Sequence, residues 1–357
     1  MAHAADPIVI NGRRLKNRLT FAPTVKFGWA GPDGILSDRH LEHYRERAEH
    51  GLGLLCVEAT AVTPGGRFCP DHIGLWEDRQ IERHKIIAEA CRENDVVSLI
   101  QLNHTGITTN PQMGDPIGPS AVPTRSGAMA REMSISEIHE MQEAFIQAAV
   151  RAKKAGYDGI QLHGCHSYLI NQFVAKSTNL REDEYGGSDE NRARFGAEII
   201  RGIRELCGAD FLISVRTVGA DPDLDPCIAV AEEYVKAGCD YLQVSSGVNE
   251  PDPSVLREGE PFNAICALGV RFHEHFGSRV PVSCVNSILT PEQVHYLLDN
   301  DLVDTVDLAR AVLADPRFPE AVLYGSDYVK CFNCKRCQYG PFTKNQCPAA
   351  MKRAKES

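Results

Sequence analysis

The sequence predicts an α/β fold, a (β/α)8 (TIM) barrel with an N-terminal hairpin and a short cysteine-rich C-terminal extension. Three observations support this prediction. The chain of 357 residues is long enough for one large barrel. Eight strand-length runs rich in Val, Ile or Leu recur along it, as expected of parallel strands buried on both faces. Amphipathic stretches of helical length separate these runs. The runs are residues 19–23, 54–59, 97–102, 158–163, 211–216, 240–245, 280–285 and 304–309.

Signals at the ends of the elements agree with this assignment. Residues 7–16 are predicted to form a hairpin around an Asn-Gly pair, the strongest short hairpin signal. Ser134 and Glu137 have the spacing of a helix capping box. Residues 103–134 form a long loop after the third strand, which we expect to be functional. A doubly wound sheet is the alternative for any alternating pattern, but no Gly-x-Gly-x-x-Gly follows the first strand. Helices are predicted at residues 37–51, 134–156, 188–206 and 290–300.

The composition is that of a globular protein, with 43% hydrophobic and 24% charged residues. No stretch approaches the ~20 apolar residues that a membrane helix needs, and the first residues lack the apolar run of a signal peptide. We therefore expect a cytoplasmic protein. The net charge of −10 is a poor footprint for nucleic acid, so we exclude that class of partner. Most of the 13 cysteines are scattered singly, which indicates reduced thiols.

Polar residues follow the predicted strands where each strand ends. A barrel of this kind carries its active site at the C-terminal ends of its strands, so these side chains are the candidate site. Arg310, with backbone amides near Asn286 and Ser287, would suit a phosphate monoester at the usual phosphate position after strands seven and eight. The other candidates at the strand ends are Pro23, Thr24, Val25, Ala59, Gln101, His163, His166, Tyr168, Arg216, Ser246, Gly247 and Ala309.

Four cysteines lie close together near the end of the chain. Their spacing is C-x2-C-x2-C-x9-C, followed by Pro348. Structural zinc sites favour two separated C-x2-C pairs. Three closely set cysteines plus a remote one before proline suit a 4Fe-4S cluster held by thiolates, and zinc is the alternative. The four are Cys331, Cys334, Cys337 and Cys347.

The segment GIQLHGCHSYLINQFVAKSTNLREDEYGGSDENRARF resembles the fourth-strand region of the old yellow enzyme family (NADH:flavin oxidoreductases). Four further segments resemble other landmarks of that family in the same order: KNRLTFAP, QLNHTG, SVRTVGAD and LARAVLADPRFP. The similarity runs from about residue 7 to about residue 320. The cysteine motif narrows it to the branch of 2,4-dienoyl-CoA reductase and trimethylamine dehydrogenase, in which a 4Fe-4S cluster follows the barrel.

This resemblance implies that FMN binds at the barrel mouth. Gln101 matches the side chain at the flavin pyrimidine edge, Arg216 the arginine near N1 and C2, Arg310 the phosphate arginine, and Ala59 a backbone contact to the ring. A fixed cation near N1 favours the reduced flavin electrostatically. The further expected cofactor-binding residues are Pro23, Thr24, Val25, Ser246, Gly247, Asn286, Ser287 and Ala309.

The resemblance also implies an ene reductase. His163 and His166 match the pair that holds the carbonyl oxygen of an α,β-unsaturated carbonyl compound or enoyl thioester, and Tyr168 matches the acid that protonates the α-carbon. The alternatives are an amine dehydrogenase of the trimethylamine type, and a non-catalytic subunit that only transfers electrons. For Lys26 the alternatives are a site residue and a solvated lysine. Arg125 and Arg131 either bind an anionic substrate or face water.

We expect residues 1–325 to form the FMN-binding barrel and residues 326–357 the iron–sulfur extension. In the similar branch a module that binds FAD and NAD(P) follows the cluster, whereas nothing in this sequence resembles a dinucleotide fingerprint. The electron donor is therefore expected to be external, either a ferredoxin or a separate flavoprotein subunit that oxidises NAD(P)H. A homo-oligomer and a hetero-oligomer are both compatible with the sequence.

Overall fold

Eight parallel strands close into a barrel in the computed structural model, which describes residues 3–221, 223–248, 251–340, 343 and 345–356. The chain order of the strands is also their order around the barrel, and β12 closes it by pairing with β3. The predicted fold class and all eight predicted strands are confirmed, with no strand end shifted by more than two residues. The strands are β1 (Ile8–Ile10), β2 (Arg13–Leu15), β3 (Leu19–Phe21), β4 (Leu54–Ala61), β5 (Val97–Asn103), β6 (Ile117–Gly118), β7 (Arg131–Glu132), β8 (Gly159–Gly164), β9 (Leu212–Val218), β10 (Tyr241–Ser245), β11 (Val282–Val285) and β12 (Thr305–Leu308).

Helices cover the outside of the barrel, and side-chain caps define where several of them begin. The predicted capping box is present: the Ser134 hydroxyl accepts from the Glu137 N–H at 3.3 Å, and Glu137 Oε2 accepts from the Ser134 N–H at 2.9 Å. None of the described helices is both long and apolar enough to cross a membrane. The helices are α1 (Asp38–Ala48), α2 (Ile81–Glu93), α3 (Ile135–Lys154), α4 (Leu169–Val174), α5 (Asp189–Cys207), α6 (Leu224–Lys236), α7 (Ala264–Phe276), α8 (Pro291–Asp299), α9 (Arg310–Ala314), α10 (Phe318–Tyr324) and α11 (Pro348–Glu356).

The predicted hairpin, β1–β2, closes the N-terminal end of the barrel. Asn11 and Gly12 both have positive φ, 45° and 74°, as a two-residue turn of this type requires. Ile10 and Leu15 pack against residues at the starts of the barrel strands, including Leu54. Because the hairpin blocks this end with apolar side chains, the opposite end is left for a site.

A polar layer crosses the barrel interior below the C-terminal ends of the strands. Gln101 Nε2 donates to Gln161 Oε1 at 2.6 Å. Asp307 Oδ1 accepts from Gln243 Nε2 at 2.7 Å, and its Oδ2 accepts from the Ser283 hydroxyl at 3.1 Å. Burial raises the pKa of Asp307 to about 6. This hydrogen-bonded layer forms the floor of the site.

The long loop of residues 103–134 is ordered by local contacts. β6 and β7 pair in parallel, and an isolated bridge joins Pro123 to Met129. Ile107, Val122 and Ala130 form a small buried cluster under this part of the loop. The loop therefore has a defined position over the C-terminal end of the barrel.

Candidate active site

Two arginines without a carboxylate partner border one cavity at the C-terminal ends of β9 to β12. This cavity, called the arginine cavity below, has a volume of about 200 Å³. Arg216 is 7% exposed, and its buried Nε has no hydrogen-bond partner among the described residues. Within the described ranges, no carboxylate oxygen lies within 4 Å of either guanidinium, Arg216 or Arg310. Asp307 also borders the cavity and feels the charge of Arg216, but neither arginine is in ion-pair contact with it, so the two guanidinium groups fit an anionic ligand. Of the expected cofactor residues, the cavity is lined by Arg216, Ser246, Asn286, Ser287, Ala309 and Arg310.

Strained backbone shapes the part of this cavity next to Arg310. Asn286 and Ser287 have φ values of 95° and 57°, in the region that favours glycine. Such residues cost of order 1–3 kcal/mol each, and they persist mainly at functional sites. The Ser287 hydroxyl accepts from Arg310 Nη2 at 2.7 Å. The strained turn thus holds the Arg310 guanidinium at the cavity wall.

His163 and His166, the two histidines expected to hold a substrate carbonyl and called the clamp below, lie beside this cavity and contact each other. His163 Nε2 and His166 Nδ1 are 3.2 Å apart, and the other nitrogen of His166, Nε2, lies 2.8 Å from the Ser245 hydroxyl. Burial, with a further contribution from the charge of Arg216, lowers the pKa of His166 to about 3. Burial likewise holds the pKa of His163 well below its usual value. Both imidazoles are therefore neutral near pH 7, and each carries one N–H.

The Ser245 hydroxyl can decide which nitrogen of His166 carries its proton. When this hydroxyl donates to Nε2, the single N–H of the neutral ring is on Nδ1, which faces His163. In that tautomer the N–H groups of both histidines can point to one acceptor oxygen between them. A backbone hydrogen bond also holds His166 in place, because the main-chain N–H of His166 donates to the Ser246 carbonyl at 3.1 Å.

Tyr168 lies on a second cavity, above the clamp. This cavity of about 480 Å³ is bordered by His166, Tyr168 and Phe68, and by the loop after β5. The ring of Tyr168 lies 4.7 Å from that of His163 and 5.1 Å from that of Phe68, measured between centroids. Burial raises the pKa of Tyr168 to about 12, so its hydroxyl keeps its proton at neutral pH. His166 borders both cavities and so marks the place where they meet.

The other expected cofactor residues lie within β4 and β5 or directly after β3 and β10, at the same end of the barrel, but do not border the arginine cavity. Ala59 is fixed by a hydrogen bond of its carbonyl to His72 Nε2 at 2.5 Å. Gln101 belongs to the polar floor. A Cβ at Gly247 would lie 2.5 Å from Val218 Cγ2, so that position requires glycine. Pro23, Thr24 and Val25 form the segment that follows β3.

Lys26 is buried, with 1% of its surface exposed, so the interpretation as a solvated lysine is wrong. Its ammonium donates to the carbonyl and the hydroxyl of Thr24, the latter at 2.8 Å, and lies 5.1 Å from the centre of the Tyr339 ring. Burial lowers the pKa of Lys26 to about 7 and raises the pKa of nearby Glu58 to about 7. Lys26 therefore joins the segment after β3 to the C-terminal extension.

The four cysteines of the extension border one cavity, and Arg310 borders it too. All four are free thiols. Sulfurs around one zinc ion lie about 3.8 Å apart, given a Zn–S bond of about 2.3 Å. No three of the four cysteine sulfurs lie within 4.8 Å of one another, because among the described residues a set with that spacing is formed only by His163, Cys165 and His166. The cysteine sulfurs are therefore spread more widely than a single zinc ion requires.

The extension packs on Arg310 at the arginine cavity and on the segment that follows β3. Arg310 Nη1 donates to Asn333 Oδ1 at 2.9 Å, while its Nη2 contacts Ser287. Asn345 Nδ2 donates to the Phe27 carbonyl at 2.6 Å. One arginine side chain thus separates the cysteine cavity from the arginine cavity.

Ser245 and Phe68 were not predicted to act at the site, and the role of Arg125 was left open. Ser246 was expected at the site and its neighbour Ser245 was not, although side chains alternate along β10 and only one of the two serines can face the clamp. Phe68 lies in the loop after β4, and no sequence signal distinguishes it. For Arg125 the alternatives were binding of an anionic substrate and exposure to water, and it borders the Tyr168 cavity.

The fold and these two adjoining cavities define a barrel enzyme with an anion site beside a pair of neutral histidines and a buried tyrosine. A model of the NADH:flavin oxidoreductase / NADH oxidase family matches residues 5–327, and the chain belongs to this family of flavin oxidoreductases. The chain is 35% identical over 334 residues to an NADH oxidase of Thermoanaerobacter brockii, which covers 90% of this chain and 51% of that protein. It is 34% identical over 323 residues to an NADPH dehydrogenase of Bacillus pumilus (strain SAFR-032), with 88% and 92% covered.

Solved structures show the same relationship. A 2-naphthoyl-CoA reductase in complex with 2-naphthoyl-CoA superposes with a TM-score of 0.85 at 26% identity, over 96% of this chain and 57% of that one. A histamine dehydrogenase from Rhizobium sp. 4-9 gives 0.82 at 27% identity, over 98% and 53%. An old yellow enzyme homologue from Zymomonas mobilis gives 0.78 at 26% identity, over 98% of both chains. The chain thus spans about half the length of some relatives and nearly all of others.

Proposed function

We propose that this protein is an FMN-dependent ene reductase that reduces the C=C bond of an α,β-unsaturated carbonyl compound or enoyl thioester. The observation that carries the proposal is the position of His166, which borders both the arginine cavity and the Tyr168 cavity. A carbonyl acceptor held by the histidines would lie between a bound cofactor and a proton donor. Membership of the flavin oxidoreductase family supports FMN as that cofactor.

The residues of the arginine cavity fit FMN. The unpartnered Nε of Arg216 is a buried donor that needs an acceptor, as the pyrimidine edge of a flavin provides. Arg310, with no carboxylate within 4 Å among the described residues, suits the terminal phosphate, and Ser287 holds its guanidinium in place. When bound, FMN supplies a hydride to the β-carbon of an activated alkene.

His163 and His166 would then hold the substrate carbonyl oxygen. Their mutual contact of 3.2 Å is exchanged for two N–H donors to the oxygen, which stabilise the negative charge that develops on it. Both rings are neutral near pH 7, so they act on the oxygen as hydrogen-bond donors and not as imidazolium acids. Tyr168 gives its hydroxyl proton to the α-carbon, and solvent reprotonates it. Its high pKa keeps it in the donor form.

We further propose that Cys331, Cys334, Cys337 and Cys347 hold a 4Fe-4S cluster, within an extension of residues 326–357 that follows a barrel of residues 1–325. The wide spread of the sulfurs supports a cluster over a zinc ion. A cluster here would pass single electrons between the FMN site and a donor outside this chain, a ferredoxin or a separate flavoprotein subunit. The contacts of Arg310 with both cavities support an electron path of this kind.

An amine dehydrogenase is the second candidate, because a histamine dehydrogenase superposes over 98% of this chain. The substrate cavity argues against it. Among the described residues that border the cavity there is an arginine and no aspartate or glutamate, which is unfavourable for an ammonium substrate. A pure electron-transfer subunit would not need the proton donor Tyr168.

A visible spectrum of anaerobically purified protein, with iron and acid-labile sulfide assays, tests the cofactors. FMN bands and about four irons per chain are expected. One zinc per chain and no labile sulfide would refute the cluster. Anaerobic addition of an enone to the reduced protein should restore the oxidised flavin spectrum, whereas bleaching of the oxidised protein by an amine would favour the dehydrogenase.

A further inference from the structure

The long loop after β5 carries two arginines, and the structure gives them different environments. Arg131 pairs with Glu137, Nη2 to Oε1, at 2.7 Å. The charge of Arg131 is therefore already matched within the loop and the start of α3. Arg125 has no hydrogen bond or ion pair among the described residues, and it borders the cavity that also contains Tyr168.

A tight hairpin holds Arg125 at this cavity. Thr124 and Ala128 are joined by a backbone hydrogen bond of 2.7 Å, and the Gly127 N–H donates to the Thr124 carbonyl at 3.0 Å. Arg125 is therefore the second residue of a closed turn, and Gly127, with φ 84°, supplies the left-handed position that the turn requires. The base of the hairpin is fixed by the bond from the Ala130 N–H to the Val122 carbonyl at 2.9 Å.

The same hairpin is packed onto the wall of the cavity. Val122 and Ala130 are buried against Ile107, which itself borders the cavity. Because the turn is anchored to the wall, the Arg125 side chain projects from a fixed base and not from a loose loop. Arg125 is exposed to solvent at the rim, where it can meet an entering ligand.

The charges around the cavity leave Arg125 without an internal counter-ion. None of the other described residues that line the cavity is acidic, and the one histidine among them, His166, is neutral near pH 7. The positive charge of Arg125 also reaches the reacting end of the cavity, since it acts to lower the pKa of Tyr168 against the larger effect of burial.

We propose that Arg125 binds an anionic group on the alkene substrate, so that the preferred substrates are unsaturated carbonyl compounds that carry a carboxylate or a phosphate. This inference rests on the proposed ene reductase function and narrows its substrate class. A guanidinium donates in a fork that matches either anion. The cavity volume of about 480 Å³ suits a small acid, whereas the phosphates of a CoA thioester would extend to the rim.

The test compares an enone that carries a carboxylate with its methyl ester, which has nearly the same shape and no charge. Arg125→Gln removes the charge, and Arg131→Gln is the matched control on the same loop. For the acid, kcat/KM should fall by roughly 5- to 30-fold in Arg125→Gln, between the effect of an exposed ion pair and that of a charged hydrogen bond. For the ester the fall should be much smaller, because only the effect of Arg125 on Tyr168 is lost. Arg131→Gln should reduce both compounds as the parent protein does.

Ionic strength gives a second readout. Salt should raise KM for the acid in the parent protein, and this dependence should be absent in Arg125→Gln. The CoA thioester of the same acid shows where the anion that Arg125 binds is located. If it lies near the alkene, Arg125→Gln lowers kcat/KM for the free acid only. If it lies in the nucleotide tail, Arg125→Gln lowers kcat/KM for the thioester only. Equal losses for acid and ester, or no loss for any of the anionic compounds, would overturn the proposal.

Binding measured without turnover separates this inference from the proposed function. Calorimetric titration of the holoenzyme with the saturated acid and the saturated ester should show tighter binding of the acid, and Arg125→Gln should abolish that preference. If no alkene is reduced but the preference is seen, the ene reductase proposal fails and the anion site stands. If alkenes are reduced but the protein binds acid and ester equally well, the anion site is refuted and the ene reductase proposal is not.

Discussion

Replacement of Ser245 by alanine isolates the role of the hydroxyl that contacts the clamp. The hydroxyl lies 2.8 Å from His166 Nε2, and only 3% of the surface of Ser245 is exposed. Without it, Nε2 loses its hydrogen-bond donor and only the contact with His163 favours a proton on Nδ1, so part of the protein carries the proton on Nε2. In that form His166 presents a lone pair to the substrate carbonyl, so one of the two donors is lost.

The expected loss follows from the hydrogen bonds involved. A buried hydrogen bond contributes about 0.5–1.5 kcal/mol net, and an unsatisfied buried nitrogen costs about 1–3 kcal/mol. A loss of about 1–2 kcal/mol at the transition state corresponds to roughly a 5- to 30-fold fall in kcat/KM. Because burial lowers the pKa of His166 to about 3, this fall should be the same from pH 6 to pH 9.

Anaerobic stopped-flow measurement of flavin reoxidation by an enone is the assay, and 15N NMR of the histidines reports the tautomer directly. Ser98→Ala is the control. Ser98 is also buried, and its hydroxyl donates to Asp158 Oδ2 at 3.1 Å, at the opposite end of the barrel. If Ser245→Ala reoxidises as fast as Ser98→Ala, or if its His166 tautomer is unchanged, the reasoning is refuted.

Three further outcomes follow from the site. Tyr168→Phe should lower the rate of alkene reduction by roughly 10²- to 10⁴-fold with little change in substrate binding. The rate of the parent protein should stay constant up to about pH 10, because burial raises the pKa of Tyr168 to about 12. A parent rate that already falls at pH 8 would contradict this. Arg310→Ala should weaken FMN binding by roughly 10- to 100-fold, as expected for lost charged hydrogen bonds, whereas Arg317→Ala, which breaks a pair with Asp315 at 2.8 Å, should keep its FMN in equilibrium dialysis. Cys334→Ala should lose iron and labile sulfide and retain FMN, while Cys69→Ala, at a half-buried cysteine outside the motif, should keep all three; full iron content in Cys334→Ala excludes it as a ligand.

The barrel itself was predictable because each of its strands is a short apolar run that is buried on both faces. Leu99, Ile100 and Leu102, for example, are all buried in β5. The hairpin was predictable because an Asn-Gly pair adopts positive φ at low cost. The chain order of the strands then placed the polar strand ends together, and six of the expected cofactor residues do meet at one cavity.

The rest of the site depends on tertiary contacts that no local pattern encodes. Ser245 and Ser246 are adjacent and chemically identical, so only the position of β10 against the clamp distinguishes them. Arg125 and Arg131 differ because Glu137 pairs with one and not the other. The sequence also gave no reason to expect that Arg310 would border both the cysteine cavity and the arginine cavity, 21 residues before the first cysteine.

The most direct test of the proposed function is reoxidation of the reduced flavin by an alkene under anaerobic conditions. The protein is reduced with dithionite, mixed with cyclohexenone or with an enone that carries a carboxylate, and followed by its visible spectrum. An ene reductase should recover its oxidised flavin spectrum at a rate that rises with alkene concentration and should form an equal amount of the saturated ketone, and Tyr168→Phe should slow both. A flavin that stays reduced with every such alkene, yet is reoxidised by an electron acceptor, would contradict the proposed function.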